Sequence, residues 1–239
     1  METKITNNYY RVLNILENGE NHSRGISRKI NVSHSQITKI LNFFYQRGVL
    51  EKKKFGKSII YFIINNFVAK QYLVALSKQK LIEIIVKNSK LKIIIEEIMS
   101  EIDNEILNID CAILFGSYSS GLNNKKSDID LFFITSSKKE KINSVINRIS
   151  ENYGVDINIK VLTKKEFVKQ INHPLTKEVL TGIPILNSEL FYKLKKCLEN
   201  NETWPLTKEE LKLFKQFKED GTFKKYTYNT PEEKYSFQV

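Results

Sequence analysis

Residues 110 to 134 read DCAILFGSYSSGLNNKKSDIDLFFI, and this stretch decides the architecture of the larger part of the chain. Asp110–Phe115 is a short run of the buried-strand type, ended by Gly116-Ser117. After a ten-residue spacer, Asp128-Ile129-Asp130-Leu131-Phe132-Phe133-Ile134 begins a second strand. Further on, Val155-Asp156-Ile157-Asn158-Ile159-Lys160-Val161 alternates strictly between apolar and polar and predicts a third.

Residues i and i+2 of a strand share a face, so Asp128 and Asp130 are expected to project together. In the third strand Asp156, Asn158 and Lys160 share one face, while Val155, Ile157, Ile159 and Val161 turn inward. If the two strands are neighbours, three carboxylates converge on one spot. Like charges that close are costly unless cations neutralise them. Oxygen donors in that number select Mg²⁺ or Mn²⁺, ions that also hold substrate phosphates. Gly116-Ser117, between a strand and a short helix, offers free N–H groups and a hydroxyl to a phosphate. The competing reading is three strand-end aspartates making ordinary surface pairs.

Leu114-Phe115-Gly116-Ser117, the spacer and Asp128-Ile129-Asp130-Leu131 resemble the signature of the DNA polymerase beta nucleotidyltransferase superfamily. The likeness is to its minimal nucleotidyltransferases and covers about residues 90–190, with Tyr118, Gly121 and Ser127 fitting the same pattern. One residue departs from it: Ser120 stands where many relatives carry an arginine. That leaves either a weaker phosphate contact or a role for Lys125 and Lys126. The resemblance implies that Asp128, Asp130 and Asp156 hold metal and carry catalysis, and that Gly116 and Ser117 bind the nucleotide's β- and γ-phosphates. It further implies an NTP donor, ATP foremost, with Mg²⁺ or Mn²⁺ as cofactor. The acceptor stays open among a protein hydroxyl, an RNA end and a small molecule.

Ahead of this region, Ile5–Glu17, Ser23–Ile30 and His34–Gln46 read as three helices. The third opens on a Ser33/Gln36 capping box and carries Ile37, Ile40, Leu41 and Phe44 as its inner stripe. Strand-like runs at 49–54 and 58–64, joined by Phe55-Gly56-Lys57, form a hairpin with Lys52, Lys53, Lys54 and Lys57 at its tip. Three helices followed by a basic hairpin resemble the winged helix-turn-helix family. That resemblance makes Ser33, His34, Ser35, Thr38, Lys39 and Asn42 the outward positions of a recognition helix, facing base edges, while the lysines meet phosphates. Duplex DNA is the expected partner; RNA binding and a protein-docking role are the alternatives. Paired half-sites would suit a homodimer.

The charge distribution agrees with a polyanion partner for this part. Of a net +11, residues 1–70 contribute +8, from 12 basic and 4 acidic side chains. The richness of the whole chain in Lys, Ile and Asn offers a compositional origin for the same excess. Hydrophobic residues at 41 % allow a real core, and no run of about 18 uncharged apolar residues suggests a membrane span. The polar start Met1-Glu2-Thr3-Lys4 argues against export, so a cytoplasmic protein is expected. Two cysteines, Cys111 and Cys197, and three histidines make a zinc site hard to assemble.

The expected fold is α/β (α+β) in four parts: a winged helix at 1–65, a helical linker at 66–89, a nucleotidyltransferase domain with a small mixed sheet at 90–200, and a C-terminal helix and tail at 201–239. Phe67 to Asn108 reads helical, with breaks near Ser77 and Asn88-Ser89 and a stripe of Leu91, Ile94, Ile95, Ile98, Ile102 and Ile106. Short helices at 164–171, 175–180 and 188–198 and an edge strand at 182–186 follow; Thr207 and Glu210 open a last helix. The expected function is transfer of a nucleoside monophosphate coupled to DNA binding. A toxin–antitoxin component with a HEPN-type toxin as protein acceptor is one form of it. A transcriptional regulator that senses nucleotide without turnover is the alternative.

Overall fold

A computed structural model of the protein describes residues 7–104, 107–124, 127–170 and 173–199. The expectations for Ile5, Ile106, Lys125, Lys126, Ile171 and the helix and tail at 201–239 lie outside these residues. The chain divides into two units, one ending at Gln79 and one beginning at Lys80.

In the first unit, α1 (Asn7–Glu17), α2 (Ser23–Ile30) and α3 (His34–Gln46) enclose Val12, Leu13, Leu16, Ile26, Ile30, Ile37, Ile40, Leu41 and Phe44, all buried. Each sits where helical spacing brings it to one stripe. Arg11 donates to the Ile30 carbonyl at 2.8 Å and ties α1 to the end of α2. The Ser33 hydroxyl accepts from the Gln36 N–H at 3.3 Å and starts α3. Tyr9, Phe43, Phe44 and Tyr72 meet edge to face with centroids 4.8–5.7 Å apart, a geometry favoured by the ring quadrupoles.

The hairpin forms from β2 (Leu50–Phe55) and β3 (Ser58–Ile63), in register from Leu50↔Ile63 to Phe55↔Ser58. Phe55 is therefore paired, and the turn is the two residues Gly56-Lys57. A strand that sequence reading omits, β1 (Asn21–His22), pairs antiparallel with β3 and gives the order β1-β3-β2. Two polar residues carry no period, so pattern alone had no means of finding it. Three helices with a three-stranded antiparallel sheet is the topology of a winged helix.

The helix α4 (Phe67–Lys87) runs through Ser77 without the expected break. Ser77 is buried, and its hydroxyl bonds back to the Val74 carbonyl at 2.8 Å, so its polarity is satisfied inside the helix. The break at Asn88 is real: α5 (Ser89–Asp103) begins there.

The second unit is built on a four-stranded sheet of order β6-β5-β4-β7: β4 (Ile109–Phe115), β5 (Ile129–Thr135), β6 (Ile157–Leu162) and β7 (Ile183–Leu186). Only β5 and β6 are parallel; α7 (Lys139–Tyr153) connects them, as parallel neighbours require. On one face, Leu91, Ile94, Ile95 and Ile98 of α5 and Ile142, Val145, Ile146 and Ile149 of α7 cover Ala112, Leu114, Ile129, Leu131 and Phe133. Pleat alternation sends Phe132 to the other face, where it meets Phe167 of α8 (Lys164–Lys169) at 5.9 Å. The helices α9 (Pro174–Val179) and α10 (Ser188–Glu199) follow α8, and both contact β4. Pro184 lies in the edge strand β7.

The third strand starts two residues later than its alternation predicts. The Val155 N–H bonds to the Ser150 carbonyl, and the Ser150 hydroxyl to the Val155 carbonyl, which hold Val155 to the end of α7. Both backbone groups of Val155 are thereby engaged outside the ladder.

Candidate functional site

The two motif aspartates stand at the start of β5, next to where β4 ends and α6 (Gly116–Ser120) begins. In the ladder Phe115 lies opposite Asp130, which brings the Gly116-Ser117 turn alongside that carboxylate. Gly116 has φ +66°, and a Cβ there would lie 2.2 Å from Asp130 Oδ2 and 3.0 Å from its Cγ. The sequence thus needs glycine at 116 twice over: for the left-handed backbone and for the room that the carboxylate takes.

On the other side of β5, the parallel ladder sets Asp130 beside Asn158. The Asn158 amide donates to Asp128 Oδ2 at 3.1 Å and to Asp130 Oδ1 at 3.4 Å. Asp128 and Asp130 do share a face, and one neutral side chain bridges them. Burial raises the Asp130 carboxyl pKa above its ordinary value; the Asn158 hydrogen bond opposes that, and the charges of Asp128 and Glu178 add to it.

Asp156 immediately precedes β6, and its carbonyl accepts from the Ile129 N–H at 2.9 Å. Its side chain is exposed, as are those of Asn158 and Lys160, while Ile157, Ile159 and Val161 pack against the core. Among the described residues, no three His, Cys, Asp or Glu side chains form a group able to hold an ion. The aspartate pair is therefore assembled, and Asp156 stands by it without joining it in such a group.

The spacer is held by its own polar groups. Ser119 and Ser120 donate to the Gly116 carbonyl at 2.9 and 3.1 Å. Ser120 also reaches the Ser117 carbonyl at 3.1 Å, so the residue in the arginine position spends its hydroxyl inside α6. Ser127 closes a turn with Asn124 just ahead of Asp128, bonding through both its N–H and its hydroxyl. Ser117 is half-buried, and its hydroxyl makes no hydrogen bond among the described residues.

Two residues at this site were not singled out by sequence. Asn158 was visible only as a member of the polar face, because an amide carries no motif. Glu178 of α9 acts on Asp130 electrostatically from a helix nearly fifty residues along the chain. Only the packing of α9 against β4 brings them together.

The donor chemistry fits a hard divalent cation. The pair offers carboxylate oxygens only, its negative charge is reinforced by Glu178, and glycine at 116 leaves the Asp130 carboxylate the room it occupies.

In the winged-helix unit, the residues expected to face nucleic acid are exposed, Thr38 partly. Several are already engaged: His34 Nε2 lies 2.9 Å from Ser23 Oγ, Thr38 donates to the His34 carbonyl at 2.9 Å, and the Ser33 and Ser35 hydroxyls are 3.3 Å apart. Lys39 and Asn42 have no partner among the described residues. On the wing, Lys53 pairs with Glu20 at 2.5 Å and Lys52 lies 4.2 Å over the Tyr45 ring, while Lys54 and Lys57 extend from the hairpin exposed. Phe55 at the tip is 71 % exposed. Among the described residues no helix is long and apolar enough to cross a membrane.

Residues 94–189 match the family described as Polymerase beta, Nucleotidyltransferase. No curated relative matches the chain. Among solved structures, ZitR of Lactococcus lactis (a C30AH42A mutant) is similar at 17 % identity over 44 % of this chain and 77 % of its own, TM-score 0.29. A toxin–antitoxin with AMP-PNP is similar at 17 % identity over 54 % and 98 %, TM-score 0.33. A mutant of the toxin–antitoxin MntA-HpeT is similar at 15 % identity over the same shares, TM-score 0.34. With the Gly116-Ser117 turn set against the Asp128/Asp130 pair, it is residues 94–189 that match the nucleotidyltransferase domain of the polymerase beta family.

Proposed function

We propose that the chain transfers a nucleoside monophosphate, AMP from ATP, to a hydroxyl of a protein, an RNA or a small molecule, and that the winged helix brings this activity to nucleic acid. The observation that carries it is the close approach of Asp130 to Gly116, which joins a carboxylate pair to a turn able to take phosphate. Asp128 and Asp130, with Asp156, are the residues that would hold Mg²⁺ or Mn²⁺. The bound ion supplies positive charge where negative charge develops on the entering and leaving oxygens. Gly116 N–H and the open Ser117 hydroxyl bind the β- and γ-phosphates. Asp156, exposed beside the pair, accepts the proton of the attacking hydroxyl. The hydroxyl oxygen bonds to the α-phosphorus, the bond from that phosphorus to the oxygen it shares with the β-phosphate breaks, and pyrophosphate leaves. The protein's contribution is positioning and charge.

In the second unit, a protein acceptor of the HEPN-toxin kind would present such a hydroxyl. In the first, Ser33, His34, Ser35, Thr38, Lys39, Asn42 and the lysines 52, 53, 54 and 57 are the nucleic-acid face.

Incubation of the full chain with α-labelled ATP, Mg²⁺ and cell lysate tests the reading. Label is expected in protein, RNA or a small-molecule fraction. It should fall by several orders of magnitude in an Asp128→Ala/Asp130→Ala variant that melts like the parent. Label at the parental rate in that variant would overturn the assignment. Nucleotide-dependent retention of DNA without any label would point to a sensor.

A further inference from the structure

Asn158 holds an unusual place in the site. It is neutral, it stands directly across the ladder from Asp130, and its amide nitrogen lies within hydrogen-bond reach of both motif carboxylates. A primary amide carries donor and acceptor on the same carbon. A half-turn about the Cβ–Cγ bond exchanges the two, leaving the backbone and the rest of the side chain where they are.

The surroundings make that exchange consequential. With only the two aspartates facing one another, the ligand count of the described carboxylates is low for a hard cation, which takes six or more oxygens. The nitrogen of Asn158 now sits against the carboxylate oxygens that would bind an ion, where its partial positive charge offsets theirs. An arriving cation removes the need for that donor and repels it. The oxygen of the same group then becomes a neutral donor beside the pair.

Resting on the reading of Asp128 and Asp130 as metal-holding residues, we infer that Asn158 is a positioning residue with two states. In the ion-free protein its N–H group bridges the two carboxylates and keeps them aimed together. When a divalent cation binds, the amide turns over and its oxygen completes the ligand set. Asn158 thereby sets the affinity of the site for the ion before any nucleotide arrives.

Binding of Mn²⁺ alone to the full-length protein, followed by the loss of the free-ion paramagnetic resonance signal, separates the possibilities. Asn158→Leu removes both donor and oxygen at similar volume and is expected to weaken Mn²⁺ binding roughly 10- to 100-fold, the range for removal of a group that orients metal ligands. Asn158→Asp retains an oxygen at the same place and adds charge; it is expected to bind at least as tightly as the parent. Thermal unfolding of each variant without metal reports whether the fold is intact. Binding unchanged or tighter in Asn158→Leu would mean that the amide merely competes with the ion, and would overturn the inference. Weakening by both variants alike, at parental stability, would overturn it too, because the retained oxygen would have done nothing. An Asp128→Asn/Asp130→Asn variant tells the two failures apart. If it still binds Mn²⁺ as the parent does, the metal reading of the pair fails; if it loses Mn²⁺ while Asn158→Leu keeps it, only the role of Asn158 fails.

Discussion

Gly116 shows how one residue without a side chain can govern a site. A methyl group at 116 would lie 2.2 Å from Asp130 Oδ2, 3.0 Å from Cγ and 3.3 Å from Cβ. Since the last two atoms are close as well, rotating the carboxylate in place does not relieve the clash. The whole side chain has to swing, and it then leaves the Asn158 amide. Gly154 provides the control: it has φ +57°, yet a Cβ there meets nothing within 4 Å. Gly154→Ala therefore carries only the left-handed backbone strain, roughly 1–2 kcal/mol, and should leave nucleotidyl transfer unchanged. Gly116→Ala carries similar strain plus the displaced carboxylate, so transfer should fall at least about 100-fold, the scale for misplacement of a reacting group by an ångström. Thermal melts alongside the labelling assay check both. Equal loss of transfer in the two variants would show that strain, and not the seating of Asp130, is what matters.

Among the elements, α8 shows how a six-residue helix is held in place. Thr163 and Glu166 form a full capping box: the Glu166 N–H reaches Thr163 Oγ1 at 3.2 Å, and Glu166 Oε2 accepts from the Thr163 N–H at 2.8 Å. The helix carries Phe167, which covers Phe132 two residues beyond Asp130, so the cap supports the floor under the site. The backbone bond from Thr163 lowers the Glu166 carboxyl below its usual value; burial opposes this, and Lys139 at 3.1 Å assists. A carboxyl lowered by folding contributes stability that is present above its unfolded value, near 4.5, and is lost as pH falls through the lower folded value. Glu166→Gln should therefore lower the urea midpoint at pH 7 and flatten its decline between about pH 5 and 3. Thr163→Ala should cost about 1 kcal/mol. A Glu166→Gln protein whose acid decline matches the parent's would refute the linkage.

The same scale shows what was legible in the sequence. Helices with a cap or an apolar stripe, such as α3, and strands with a continuous apolar run, such as β4 and β5, follow from local physics. What escaped was set by tertiary partners. The pair Asn21–His22 becomes a strand only because β3 lies alongside, and Ser77 fails to break α4 only because its hydroxyl has a carbonyl in reach. At the site, the shared face of Asp128 and Asp130 follows from strand period, whereas the bridge from Asn158 and the field of Glu178 depend on ladder register and helix packing.

For the whole molecule, what separates the two units is charge. The first, ending at Gln79, carries +9 and the second +2. If the winged helix binds a duplex, its affinity must fall with salt as counterions displaced by the lysines return, by about 0.9 in log–log slope for each phosphate contact. The wing lysines are not equivalent in this respect. Lys53 is held by Glu20, so moving it to a phosphate breaks an existing pair, although an exposed one of small worth. Lys54 and Lys57 have no such commitment among the described residues and extend from the hairpin tip. Titration of duplex DNA with the full chain at several salt concentrations should therefore give a straight line. Lys54→Ala/Lys57→Ala should shallow that line by up to about two units, and Lys53→Ala by less than one. Glu20→Ala, which frees Lys53, should steepen it. Slopes that ignore all three changes would place the nucleic-acid contact away from the wing, and the excess charge of this unit would then reflect composition alone.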